Sequence, residues 1–360
     1  MPEISKDRFP WPPASATGVG SLPGTDPAEA SRLIFGELPD LPHLAELPAR
    51  GPGAELTGRA TALLVDLPAE LTPTGWRFAA RPGRDLRRAH SLLSADLDAL
   101  EEVADGYQGS LKIQICGPWT LAATIELSRS QDPALADPGA VADLTASLAE
   151  GIAAHVADVR SRVPGARVLL QLDEPALPAV IAGEVPTASG LNRLPVPETS
   201  SLETGLGAII SAAATFTVVH CCAASVPFGI ILGAGADGAG CDLSQLGRAQ
   251  EDALAEVVEA GLGILAGVLP ATGPADLDDA ERAGARQPPS ARQTADRVVE
   301  VWRRMGWPAA GGDPGSVAAQ VVLTPAGGLA GATPGYARDA MARCREAARL
   351  LPELIEEGRP

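Results

Sequence analysis

Thr215-Phe216-Thr217-Val218-Val219-His220-Cys221-Cys222 is an apolar, β-branched run that stops on an imidazole and two thiols. Such a run reads as a short buried strand. Side chains along a strand alternate between its faces, so His220 and Cys222 share one face and Cys221 takes the other. An imidazole and a thiolate side by side at a strand end are half of a soft-metal site. Two packed core cysteines beside a strand-end histidine would give the same letters, because free cysteine is among the most buried residue types.

Seven similar runs surround this one. They end near Ser21, Glu46, Gly117, Asp173, Asp242, Pro270 and Thr324. Helical periodicity fills the intervals at 27–38, 85–104, 140–163, 202–213, 249–260, 291–305 and 333–357. Eight strand–helix units in this length predict an α/β fold, a (β/α)8 TIM barrel. A doubly wound open sheet is the alternative, but no Gly-rich dinucleotide fingerprint follows a strand. Residues 47–60 and 271–289 are rich in Pro, Gly and Ala and read as loops over the active face. In such barrels the active groups sit at the C-terminal ends of the strands. The polar residues that stop the runs fall there: Ser21, Glu46, Asp173, His220, Cys222 and Asp242. That favours an enzyme, although strands commonly end in polar residues for no catalytic reason.

Composition narrows the partners. The chain has 360 residues, 46% of them hydrophobic and only 3% aromatic, so its core is built from Ala, Leu and Val. A net charge of −17 argues against nucleic acid or an anionic membrane surface. No apolar run is long enough to span a bilayer. The first residues carry no basic segment followed by an apolar one. Five cysteines, an odd number spread over a long chain, do not form a disulfide framework. A reducing, cytoplasmic location is expected.

Five motifs together resemble one family. Thr17-Gly18-Val19-Gly20-Ser21-Leu22-Pro23 looks like the IGSFPQ segment of cobalamin-independent methionine synthase. Gly117-Pro118-Trp119-Thr120 resembles its TGPVT, and Leu172-Asp173-Glu174-Pro175-Ala176 its IDEPA. His220-Cys221-Cys222 is similar to its zinc-binding HxC, and Thr324-Pro325-Ala326-Gly327-Gly328-Leu329 to its NPDCGL. The motifs keep the family's order and similar spacing. The resemblance is to the C-terminal catalytic barrel, which implies one barrel over 1–360 with no N-terminal duplicate.

The resemblance implies methyl transfer to the thiol of homocysteine, or a similar thiol, in methionine biosynthesis. It implies a Zn2+ cofactor holding that thiol, since metal binding deprotonates a thiol outright. It gives His220 and Cys222 as two metal ligands and Asp242 near the place of a glutamate ligand. Ser21 matches the position whose backbone holds the substrate carboxylate. Asp173 matches the acid that holds the substrate ammonium, with Glu46 and Glu55 as candidates for a second acid. The implied methyl donor is a methyl-folate or a methylated corrinoid protein. Trp119 could stack a pterin, and the basic residues at 81–88 could meet a polyglutamate tail.

One departure stands out. The family's second cysteine ligand falls on Gly327, which has no ligand atom. Zinc then rests on His220, Cys222 and Asp242, or Cys241 substitutes, or the site is degraded to a thiol- or metal-binding homologue without turnover. Cys241 neighbours Asp242, so on a regular strand only one of the two faces the lumen. A further reading is a metal-free lyase resembling uroporphyrinogen decarboxylase, with Arg50, Arg59, Arg81 and Arg84 binding a polycarboxylate. That reading leaves the HxC unexplained.

Overall fold

The computed structural model describes residues 8–272, 288–306 and 314–357. The first regular strands in the chain form a two-stranded antiparallel hairpin, β1 (Ala69–Thr72) and β2 (Gly75–Phe78), which the sequence pattern did not announce. Six strands then form one parallel sheet: β3 (Ser110–Cys116), β4 (Arg167–Asp173), β5 (Thr217–Cys221), β6 (Gly238–Asp242), β7 (Gly263–Leu269) and β8 (Val321–Pro325). Their order in the sheet is their order in the chain. Each crossover carries helix, as parallel strands require.

The first two expected strands are not regular strands. The stretch around Ser21 and the stretch around Glu46 make isolated parallel bridges instead. Ala16 pairs with Leu323 of β8, Ser21 with Glu46, and His43 with Lys112 of β3. The two stretches therefore link one edge of the curled sheet to the other. Glycines and prolines through 18–24 and 39–48 leave few residues able to sustain a ladder. The expected end of β5 also shifts, since Cys222 lies just past Cys221, its last residue.

Helix positions agree with the periodicity to within a few residues. Helices run over Pro27–Glu37, Arg84–Val103, Pro138–Arg162, Thr199–Ala213, Arg248–Glu259, Ala291–Arg304 and Pro334–Glu357. Asp26 and Asp137 cap two of them by accepting amide hydrogen bonds in the first turn. Within 47–60, read as loop, a short helix spans Leu56–Thr61. Most of 271–289 lies outside the described residues.

The two faces of the sheet are built differently. Leu170, Leu172, Val219, Cys221, Ala239, Cys241, Ile264, Ala266 and Leu323 pack outward against the helices in the main core. On the opposite face, Leu169, Val218, Leu265 and Val322 meet Phe9, Trp11 and Leu41. Phe9 stacks on Trp11 at 5.4 Å, and Trp11 meets Phe216 edge-on at 5.1 Å. The N-terminal segment thus plugs the floor of the concave face with aromatic rings. Above that apolar floor the inward residues become polar.

Candidate active site

Strand register decides which residues meet above the floor. Cys116 pairs with Asp173, Asp173 with His220, and His220 with Gly240. Partners in a parallel ladder share a face, so Asp173 and His220 stand side by side. The His220 Nδ1 donates to Asp173 Oδ1 at 2.8 Å. Gln171 Nε2 donates to the same oxygen at 2.7 Å. A Cβ on Gly240 would lie 2.9 Å from His220 Cδ2, so glycine there makes room for the ring. Cys221 pairs with Cys241 on the opposite face, where both are buried in the main core.

Glu46 joins the group through its bridge to Ser21. Its Oε1 lies 3.4 Å from Arg59 Nε. Arg59 also pairs with Asp96, whose carboxylate takes Arg50 Nη2 at 2.7 Å. Burial pushes the Glu46 carboxyl up to about 7 against the pull of Arg59, with Asp173 adding to the rise. Glu46, Asp173 and His220 are all buried, and Ser21 is half-buried. Glu55 has another task. Its Oε1 caps the Leu56–Thr61 helix through Gly58 N at 2.9 Å and accepts Trp76 Nε1 at 2.6 Å.

Cys222, Asp242 and Gly327 line one cavity of about 450 Å3, together with Ser244, Gln245 and Arg297. Asp242 Oδ1 accepts from Ser244 N at 2.9 Å and Ser244 Oγ at 2.7 Å, and its Oδ2 from Gln245 Nε2 at 3.1 Å. Burial, then the nearby Asp173 carboxylate, raises the Cys222 thiol above its ordinary range. A Cβ built on Gly327 would meet only Ala271 Cβ, at 3.8 Å.

These residues do not fit the expected zinc centre. His220 has the tautomer a metal ligand needs, with Nδ1–H on a carboxylate and Nε2 left over. Yet no group of three or more His, Cys, Asp or Glu side chains stands close enough to hold a metal ion among the described residues. A catalytic zinc needs three protein ligands. Cys241 does not supply one, because it faces the helix side and burial holds its thiol strongly protonated. Asp242 is held in its own turn, with Oδ1 accepting from Ser244 and Oδ2 from Gln245.

Trp119 is packed in a second core with Leu135, Leu177 and Leu206, and its Nε1 donates to Leu202 O at 3.0 Å, so its ring is not open to a pterin. Arg50 and Arg59 are locked on Asp96, and Arg81 and Arg84 are exposed, so these four form no common cleft. Lys112, Gln114 and Gln171 were missed as site residues. All three are buried on the concave face beneath Asp173 and Glu46. The signal was present: polar residues at 112 and 114, and at 171 and 173, alternate within otherwise apolar strands.

No protein-family model matches the chain, and no curated protein matches it by sequence. A solved structure does match: a B12-independent methionine synthase from Shewanella sp. W3-18-1 in complex with selenomethionine. The TM-score is 0.61 at 10% identity, over 96% of this chain and 99% of that one. The fold is that of a B12-independent methionine synthase. The match spans nearly the whole of both chains. No helix is long and apolar enough to cross a membrane among the described residues.

Proposed function

We propose that this chain is a methyltransferase that binds homocysteine, or a similar amino-acid thiol, in the concave mouth and converts it to the methyl thioether. The Ser21 and Glu46 stretches then count as the first two staves of a (β/α)8 barrel. The observation that carries the reading is the pair of buried acids, Asp173 and Glu46, above a methionine synthase fold. Two carboxylates held in low dielectric suit a ligand ammonium. The solved relative contains selenomethionine, an amino acid of the product's shape.

In this reading Asp173 and Glu46 take the ammonium, and the backbone near Ser21 takes the carboxylate. The side chain then extends toward Cys222 and the cavity beside Gly327. Methyl transfer forms a C–S bond from the thiolate and breaks the donor's bond to nitrogen or cobalt; the bonding pair stays on that nitrogen or cobalt, and the thiol proton passes to the leaving nitrogen or to water. The protein contributes alignment of sulfur and methyl in a closed mouth. The donor is a methyl-folate or a methylated corrinoid. Zinc is left out of the reading, because the donor set does not close around it.

The test is direct. Purified protein is given homocysteine with methylcobalamin, or with mono- and triglutamyl methyltetrahydrofolate, and methionine is followed by mass spectrometry. Methionine binding is measured in parallel by calorimetry. Turnover with either donor supports the reading. No turnover with any donor, together with no methionine binding, overturns it. Binding without turnover would favour a homologue that retains the amino-acid site alone.

A further inference from the structure

Lys112 is a lysine with no exposed surface. A buried ammonium is costly unless its protons are taken up. Its Nζ donates to Val19 O at 2.9 Å and to Gln114 Oε1 at 3.2 Å. The same Val19 carbonyl accepts Gln171 Nε2 at 2.9 Å. One carbonyl therefore collects donors from β3 and β4. It belongs to the stretch 18–21, which lies tight against the layer beneath. A Cβ on Gly18 would run into the His43 ring, and one on Gly20 would lie 2.8 Å from Gln114 Cγ. Gly18 and Gly20 are buried, whereas Val19 and Ser21 are half-buried. Neither the Val19 nor the Ser21 amide meets an acceptor among the described residues. A backbone carbonyl pulled inward by two donors, beside amides with no acceptor, is the arrangement of an anion receptor.

We propose that Lys112 is a positioning residue for the carboxylate end of the amino-acid ligand, acting through the Val19 carbonyl to orient the free amides of 18–21. This rests on the amino-acid reading given above. Burial lowers the Lys112 ammonium to about 8, and Asp173 and Glu46 pull it back upward, so it stays largely charged near neutral pH. Those two acids would sense its loss as well, but they meet the ligand ammonium. Their effect falls equally on ligands with and without a carboxylate.

The experiment compares L-methionine with 3-(methylthio)propylamine, which lacks only the carboxylate. Calorimetric affinities are measured for wild type, Lys112→Met and Gln171→Met, each checked for fold by circular dichroism. Wild type should prefer methionine by about tenfold or more, the size of a hydrogen bond to a charged group. In Lys112→Met that preference should shrink to within about twofold, whatever happens to the absolute affinities. Gln171→Met should reduce it in the same direction, and it carries the test if Lys112→Met does not fold. An unchanged preference in a folded variant overturns the inference, since a merely structural lysine would not move that ratio. Equal binding of both ligands by wild type also overturns it, while leaving the ammonium site standing. Binding of neither ligand removes the amino-acid reading itself, and this inference falls with it.

Discussion

Glu174 and Thr120 are joined by two hydrogen bonds: Glu174 Oε2 accepts from Thr120 N and from Thr120 Oγ1, each at 2.7 Å. Glu174 Oε1 accepts a third bond, from Trp119 N at 2.9 Å. A carboxylate at the end of β4 thereby caps the helix Pro118–Thr124 that leaves β3. Gly117 is required beside it, because a Cβ there would collide with the Glu174 carboxyl. Two motifs 50-odd residues apart in sequence are one structural clamp, and Asp173 is the next residue along it.

Glu174→Ala should destabilise the protein by roughly 2–4 kcal/mol, because it orphans two buried amides and a hydroxyl. Glu174→Gln should cost less, since its carbonyl still accepts. Urea unfolding followed by circular dichroism measures both. Equal and small losses in the two variants would show that the clamp contributes little.

Glu46 should give methionine binding a pH dependence near neutrality. Its carboxyl is raised from an ordinary value near 4.5 to about 7. Only the ionised form pairs with the ligand ammonium, so affinity should rise as pH increases from about 6 to about 8. The unliganded protein responds with the opposite sign. The folded state holds this proton through the window from 4.5 to 7, so the group's contribution to stability is fully present below that window and is lost as pH rises through it. Glu46→Gln should flatten both profiles. Calorimetry and thermal melts across pH 5.5–8.5 would contradict the assignment if the variant kept the wild-type slopes.

Asp173→Asn should weaken methionine binding by about 10- to 100-fold, as expected for loss of a charge-assisted contact of roughly 1.5–3 kcal/mol. The neutral side chain still offers His220 Nδ1 an oxygen, so folding stability should change much less than affinity. Titration calorimetry beside a thermal melt separates the two. Unchanged affinity in a folded variant would place the ammonium elsewhere.

Wild-type protein should retain well under one equivalent of zinc after exposure to a chelator, because a catalytic site needs three ligands and the described residues do not gather them. Gly327→Cys should retain more. The new thiol enters the cavity shared with Cys222 and Asp242, where its Cβ meets nothing nearer than 3.8 Å. Elemental analysis after a fixed chelator challenge decides. Stoichiometric zinc in wild type would show that His220, Cys222 and Asp242 close around the metal once it binds.

The sequence by itself determined the layers of this protein. Six apolar runs became the parallel sheet and seven periodic segments became its helices, because period and polarity are local properties that survive into any packing. Alternation along Val218-Val219-His220-Cys221 also sufficed to send Cys221 to the helices and His220 to the concave face. The tertiary structure decided what the polar residues do. Glu55 reads as a candidate site acid and Glu174 stands next to Asp173 in the same motif, yet one caps a helix in its own segment and the other a helix from a different unit. Lys112 and Gln171 sit inside otherwise apolar strands, and both meet at Val19 O from distant parts of the chain. The metal site turned on the same difference. A ligand set can be written from spacing alone, but coordination needs three side chains to converge within bonding distance. That convergence depends on strand register, on the turn that occupies Asp242 and on the side chain missing at Gly327.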